Sequence, residues 1–199
     1  SAYHGIRIEP CSDVTRQKLL LKHSTIHNCQ GYGLAVDSAK VQLYNCQLSN
    51  TLNHTLFVKG GDVEVNGCTI AQFYPFDGRR ATAIGIIPPI LNFKVMNSIV
   101  TGYHDDEVVW TSPKNDEVCN FSFDHCVLRT EKMNTEDSLK FMNTIYENLK
   151  DTTQFGEKHF RLFDTDNLKY DFRLRKESAA IGVADAATSF PTDRRGVLR

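Results

Sequence analysis

The sequence contains no apolar run approaching the ~18 residues that a membrane-crossing helix needs. It has no excess of either charge, since 23 Lys and Arg stand against 24 Asp and Glu for a formal net charge of −1. Nucleic-acid binders usually carry a basic excess, so that class of partner is set aside. Among the six cysteines there is no C-x-x-C pair and no Cys/His cluster at zinc spacing, so no metal site is expected. No cofactor is expected either. The chain opens on Ser1 rather than Met, and no basic stretch followed by an apolar segment marks a signal peptide. Residues 2–8 read as strand at once, so the expectation is the C-terminal part of a longer polypeptide, with the upstream region as a partner.

What is present is ordinary in amount: 41% hydrophobic and 24% charged residues in a chain of 199. A single domain of that length buries roughly 70% of its unfolded surface and needs no disulfide framework. The arrangement is more informative than the amounts. Aligned on a Cys or Ser, five segments share the pattern apolar, x, apolar, x, turn residue, Cys/Ser, x, apolar. The anchors are Ser24, Cys46, Cys68, Ser98 and Cys126, spaced by 22, 22, 30 and 28 residues. Period-2 alternation means strand. The residue before each anchor is His23, Asn45, Gly67, Asn97 or His125, and Asn and Gly there suit a bend in left-handed backbone angles. A further apolar-x-apolar strand lies between anchors: Ile6-Arg-Ile8, Leu34-Ala-Val36, Leu56-Phe-Val58, Ile84-Gly-Ile86 and Val108-Val-Trp110.

Like residues at one position of every unit have no reason to occur in an antiparallel sandwich. In a parallel β-helix equivalent positions stack at ~4.8 Å. The fold predicted is therefore all-β, a right-handed parallel β-helix of about five coils, the hand following the preference of parallel crossovers. Within the domain 1–199, coils are expected over 1–130 and a helical excursion over 131–157. Leu139, Met142, Ile145, Tyr146 and Leu149 fall at helical spacing there, with Asn134 or Thr135 to cap the helix and Glu136 and Asp137 in its first turn. A closing strand and capping tail are expected over 158–199. Cys46, Cys68 and Cys126 share the inward small-residue column with Ser24 and Ser98, which predicts free thiols that fill space. Stacked strands hold Cβ atoms wider apart than a disulfide does. The states of Cys11, Cys29 and Cys119 stay open.

The ending Tyr170-Asp-Phe-Arg-Leu174, Ser178-Ala-Ala-Ile-Gly182, Asp193-Arg-Arg-Gly196 and Arg199 looks like the closing segment of bacterial right-handed parallel β-helix repeat proteins. These belong to the pectin-lyase-like superfamily, and many are of choice-of-anchor type. In that family the segment runs D-[FY]-x-L, S-P-A-I-G and D-x-x-G-x-x-R. Here Ala179 stands for the usual Pro, and Ala184 for a frequent Gly. The resemblance implies an exported protein, extracellular or at the outer-membrane surface, of the kind found in gut Bacteroidetes.

Candidate functional residues lie in the loops that join each anchor strand to the next mid-coil strand, over residues 27–32, 49–54, 71–80 and 101–106. The ligand-binding set is Tyr74, Asp77, Arg79, Arg80, Tyr103 and Asp105, with Phe76 completing an aromatic platform. Aromatic rings stack on sugar faces, and the charged groups bond hydroxyls. Stacking sets Arg79 and Arg80 near Asp105 and Asp106, as salt bridges or as a site. The reading is a non-catalytic surface protein that binds polysaccharide or another extended ligand. One alternative is a polysaccharide lyase or glycoside hydrolase using Asp105, Asp106, Arg79 and His104 as acid, base and subsite groups, with calcium only in the lyase case. The N-x-D and G-H-G motifs associated with polygalacturonases are absent. The other alternative is a purely structural segment of a longer surface protein.

Overall fold

The computed structural model describes residues 2–114, 116–132, 135 and 137–198. The first coil is β1 (Ile6–Ile8), β2 (Gln17–Lys22) and β3 (Thr25–Cys29), and the second is β4 (Leu34–Asp37), β5 (Lys40–Tyr44) and β6 (Gln47–Thr51). The third is β7 (Leu56–Lys59), β8 (Asp62–Asn66) and β9 (Thr69–Gln72). The fourth is β10 (Ile84–Ile87), β11 (Ile90–Met96) and β12 (Ile99–Gly102), and the fifth is β13 (Val108–Trp110), β14 (Cys119–Asp124) and β15 (Val127–Leu128). Each coil puts one strand into each of three sheets, ordered β1-β4-β7-β10-β13, β2-β5-β8-β11-β14 and β3-β6-β9-β12-β15. Every pairing in them is parallel.

The register is the one the repeat demands. Ile26 faces Leu48, Leu48 faces Ile70, Ile70 faces Val100 and Val100 faces Leu128. Leu48, Ile70, Val100 and Leu128 are fully buried, as are Val41, Val63 and Phe93 of the second sheet. Each such side chain contributes roughly 1.5–3 kcal/mol on removal from water. The bend residues hold φ at 51° (His23), 52° (Asn45), 67° (Gly67), 52° (Asn97) and 51° (His125). Behind each bend the anchor donates to the carbonyl two residues back: Ser98 Oγ to Met96 at 2.6 Å and Cys126 Sγ to Asp124 at 3.3 Å. All six cysteines are free, and Cys46, Cys68 and Cys126 are buried.

Two expectations require correction. The helical excursion over 131–157 is instead a sixth, shortened coil: β16 (Phe141–Met142) joins the second sheet and β17 (Ile145–Tyr146) the third. Asn143 takes the bend at φ 48°, and Thr144 takes the anchor, donating to Met142 O at 2.9 Å. The supposed helical stripe is not one buried face, since Leu139, Ile145 and Leu149 are exposed while Met142 and Tyr146 are half-buried. Asn134 and Glu136 of the expected first turn lie outside the described residues. The only helical element among the described residues is a 3-10 turn at Gly156–His159.

The ending also does not cap the last coil. An antiparallel hairpin, β18 (Phe160–Asp164) and β19 (Lys169–Leu174), packs against the outer face of the third sheet. Phe160 and Phe172 cover Ala71 and Phe73 there, and Ala180 covers Ile99 and Val127. The tail then runs back along the bend corner, one coil at a time. Asp185 N donates to Asn97 Oδ1 at 2.8 Å, and Asn66 Nδ2 donates to Thr188 O at 2.9 Å. Asn45 Nδ2 donates to Thr192 O at 2.9 Å, and Arg194 Nη1 to Thr25 Oγ1 at 2.7 Å. Arg199 lies outside the described residues.

The anchor column generates a prediction. Cys68 N–H donates to Ser98 Oγ at 3.0 Å, while Cys68 Sγ reaches Leu43 O at 3.6 Å and Asn66 O at 3.5 Å. Cys68→Ser keeps that geometry, whereas Cys68→Leu overpacks a column with no slack, by ~1–3 kcal/mol. Thermal melting should rank wild type and Cys68→Ser close together and Cys68→Leu well below them. Equal loss in both variants contradicts the stacked-anchor account.

Candidate functional site

The loop after β9 carries most of the predicted ligand-binding residues. Tyr74 turns inward, 8% exposed, with its ring edge-on to Phe76 at 5.3 Å, while Phe76 is 62% exposed. Asp77 accepts from the Arg79 backbone N–H at 2.9 Å and pairs with its guanidinium at 2.8 Å. Those contacts hold the Asp77 carboxyl down at about 2. Arg80 lies over the Tyr103 ring, 4.7 Å from its centroid, and its carbonyl accepts from His104 Nε2 at 3.0 Å. Tyr103, 40% exposed, is backed by Phe73 at 5.0 Å. Asp105 faces solvent 3.8 Å from Arg129 Nη2. Asp106 accepts from Val108 N–H at 3.2 Å and from the Thr130 hydroxyl.

The flank therefore gathers Arg80, Tyr103 and His104, and separates the rest. Arg79 pairs within its own loop instead of reaching Asp105. Tyr74 presents no face to a sugar. The aromatic platform is reduced to Phe76 and Tyr103.

Beneath that flank lie residues the sequence did not single out. Glu107 is fully buried, its Oε2 accepting from Ala83 N–H at 2.6 Å and its Oε1 from His104 N–H at 2.7 Å. Burial pushes this carboxyl up to about 8, against the pull of the two N–H groups. Its approach requires Gly102, where a Cβ would sit 2.0 Å from Glu107 Oε1. Glu147 accepts from His159 Nε2 at 3.0 Å, from Arg129 Nη1 at 3.0 Å and from Gly156 N–H at 3.2 Å. His159 Nδ1 lies 2.7 Å from Ser178 Oγ. Burial works to raise the Glu147 carboxyl, but the hydrogen bond and charge of His159, with Arg129, outweigh it and hold it low.

A serine, a histidine and a carboxylate in line suggest hydrolytic machinery, but all three are buried. The carboxylate also holds Nε2 and the serine Nδ1, the reverse of the Ser-His-Asp arrangement. The chain fastens four segments together: the end of β15, the end of β17, the 3-10 turn and the start of the tail.

A second concave region lies over the third sheet. Between its outer face and the hairpin and tail are two cavities of about 360 and 260 Å3. They meet at Gln47, Phe172 and Arg194. The larger is rimmed by Arg161, Arg173, Arg194 and Arg195. Among the described residues, no group of three His, Cys, Asp or Glu is placed to hold a metal ion. Among the described residues, no helix is long and apolar enough to cross a membrane.

Set against known families, residues 4–151 match the family model described as right handed beta helix region. This chain belongs to that family. The match fixes the hand of the solenoid, and the fold fits the pectin-lyase-like superfamily. Comparison with curated proteins and with solved structures returned no match. In this right-handed β-helix the match takes in all six coils and Glu147. It stops short of His159, Ser178, the hairpin and the tail.

Two predictions follow from the buried acids of the β-helix. An unfolded Glu ionises near ~4.3, while folded Glu107 keeps its proton to about 8. The unfolded chain thus releases the proton first, and stability falls as pH rises from about 4.5 to about 8. Melting temperatures across that range should decline, and Glu107→Gln should flatten the slope. An unchanged slope in the variant refutes the assignment. Glu147→Ala removes the buried acceptor shared by Arg129 Nη1 and His159 Nε2, at a cost of ~3–5 kcal/mol. Chemical denaturation measures it directly.

Proposed function

We propose that this β-helix is an exported, non-catalytic surface protein that binds polysaccharide along the flank carrying Phe76, Arg79, Tyr103 and Asp105. The observation that carries the reading is the Tyr103 ring. It is partly open to solvent, yet held by Phe73 packed edge-on against it and by the Arg80 guanidinium over one face. A ring fixed in this way loses little freedom when a sugar stacks on it. Charged groups lie elsewhere on the flank, Arg79 paired with Asp77 in its own loop and Asp105 beside Arg129, and can bond hydroxyls. Coils repeat at ~4.8 Å, so a linear polymer can touch loops of adjacent coils together.

The chemistry of the acids favours binding over cleavage. General-acid attack on a glycosidic bond needs a carboxyl that keeps its proton near neutral pH. Glu107 has that property but lies inside, bonded to two backbone N–H groups. Asp77 on the surface is held ionised by Arg79. Export and a bacterial cell-surface location draw support from the resemblance of the closing segment.

A glycan array, run beside a reducing-sugar assay and an ultraviolet assay for unsaturated products, tests the proposal. Expected is binding to an extended glycan, weakened about tenfold by Tyr103→Ala, with no product formed. Turnover abolished by Asp105→Asn or Arg79→Ala means that the protein is a lyase or hydrolase. Neither binding nor turnover leaves a structural role.

A further inference from the structure

Along β9, β12 and β15 the hairpin and tail pack apolar groups onto the third sheet, and the larger cavity opens beside them, lined by Thr69, Ile99 and Val127. Over β3 and β6 they stand off, and the floor changes character. Thr25, His27, Gln47 and Ser49 line the smaller cavity there. Asn50 belongs to the same lining and is 1% exposed, and its Oδ1 has no hydrogen-bond partner. The Tyr170 hydroxyl, from the hairpin side of that cavity, is likewise buried without one. Orphaned buried polar atoms are rare in folded proteins, and each calls for a cause.

The rim of the groove is basic. Four guanidiniums, from Arg161, Arg173, Arg194 and Arg195, stand against the carboxylates of Asp171 and Asp193. Arg173 is committed to Asp171. Arg194 sits where the two cavities meet and gives one hydrogen bond to Thr25, out of the five N–H donors a guanidinium owns. Such a fork suits a carboxylate or a phosphate. The volumes lie at or below the low end of ligand pockets, ~300–1,000 Å3, which favours one small molecule over a polymer.

We propose that this groove is a binding site for a small hydroxylated anion, an acid sugar whose charged group meets Arg194 and Arg195 and whose hydroxyls donate to Asn50. It is separate from the loop flank and does not depend on the polysaccharide reading. Either a carboxylate or a phosphate ester supplies the required chemistry, and titration distinguishes them.

Isothermal titration calorimetry on the full chain, with glucuronate, glucose 6-phosphate, glucose and inorganic phosphate, decides the matter. Saturable binding of at least one acid sugar is expected, about tenfold or more tighter than glucose or phosphate. Arg194→Gln and Arg195→Gln should each weaken it about tenfold, while Arg79→Gln and Tyr103→Ala leave it unchanged. Arg194 also ties the tail to Thr25, so melting curves accompany both variants. If Arg194→Gln loosens the fold, Arg195→Gln, free of that tie, carries the decision. Failure of both acid sugars to saturate overturns the proposal, as does undiminished affinity in Arg195→Gln with its fold intact. Equal affinity for glucose removes the anion from the account, and equal affinity for phosphate removes the sugar; either result also overturns it.

Discussion

A parallel solenoid can stack only if every coil turns its corners the same way, because each backbone N–H must find the carbonyl of the coil beside it. At the corner between the second and third sheets this is met by one residue per coil in the left-handed region, with φ between 48° and 67° from His23 to Asn143. That conformation costs a non-glycine residue roughly 1–2 kcal/mol. The ladder in return holds on both sides of the corner, and the anchor N–H between them turns to the next anchor's side chain, as Cys68 N–H does to Ser98 Oγ at 3.0 Å. Asn45 N–H donates to Asn66 O at 3.0 Å, and Asn97 N–H to Asp124 O at 3.0 Å. One residue past each anchor the bonds run the other way between coils, Thr69 N–H to Cys46 O at 2.9 Å and Ile99 N–H to Cys68 O at 3.0 Å. The anchor must then be small and carry a weak or strong donor, because it fills the inside of the bend and bonds the carbonyl two residues back. Ser, Cys and Thr meet that requirement.

The same corner locates the C-terminal segment. Asn45 and Asn97 sit in the bend and Asn66 just before the glycine bend, and each extends an amide to the tail. The tail can therefore follow the corner coil by coil without forming a strand of its own. Its path fixes how much of the third sheet is covered. Where the outward residues are Ala71, Ile99 and Val127 the cover makes apolar contact, with the larger cavity opening beside Ile99 and Val127. Where they are Thr25, His27, Gln47 and Ser49 the cover lifts and leaves the groove.

Three sheets, their register and the bend column were legible because each signal repeats. Any error in one unit is corrected by its neighbours. The sixth coil escaped because Thr144 follows Cys126 after only 18 residues, and no first-sheet strand of that coil is found among the described residues. Its sequence Met142-Asn143-Thr144-Ile145 nonetheless echoes Met96-Asn97-Ser98-Ile99 position by position. Thr in place of Ser hid the match, and helical spacing in the flanking residues gave a competing reading. At the candidate site the residue types in the loops were legible, but their directions were not. Nothing in period or spacing tells that Tyr74 turns inward while Phe76 turns out. Arg129, Glu147, His159 and Ser178 occur once each at unrelated spacings, so their convergence depends wholly on tertiary structure.

That convergence explains why the cover stays in place. Apolar contact with Ala71 and Phe73 alone would let a two-stranded hairpin slide, since an isolated hairpin is marginal and apolar packing is not directional. The Glu147–His159–Ser178 chain, joined to Arg129, supplies direction because each partner must be matched within the buried interior. A cover pinned at that end and strapped along the asparagine corner has a fixed height over β3 and β6. The floor of the groove belongs to coils of a kind shared across the family. Its rim belongs to the segment beyond the family match, with Arg161, Arg173, Arg194 and Arg195 all past residue 151. Selectivity for charge in such a groove is set by the rim, because the guanidiniums and carboxylates stand there, while the floor offers polar side chains over β3 and β6 and the apolar Ile99 and Val127 beyond.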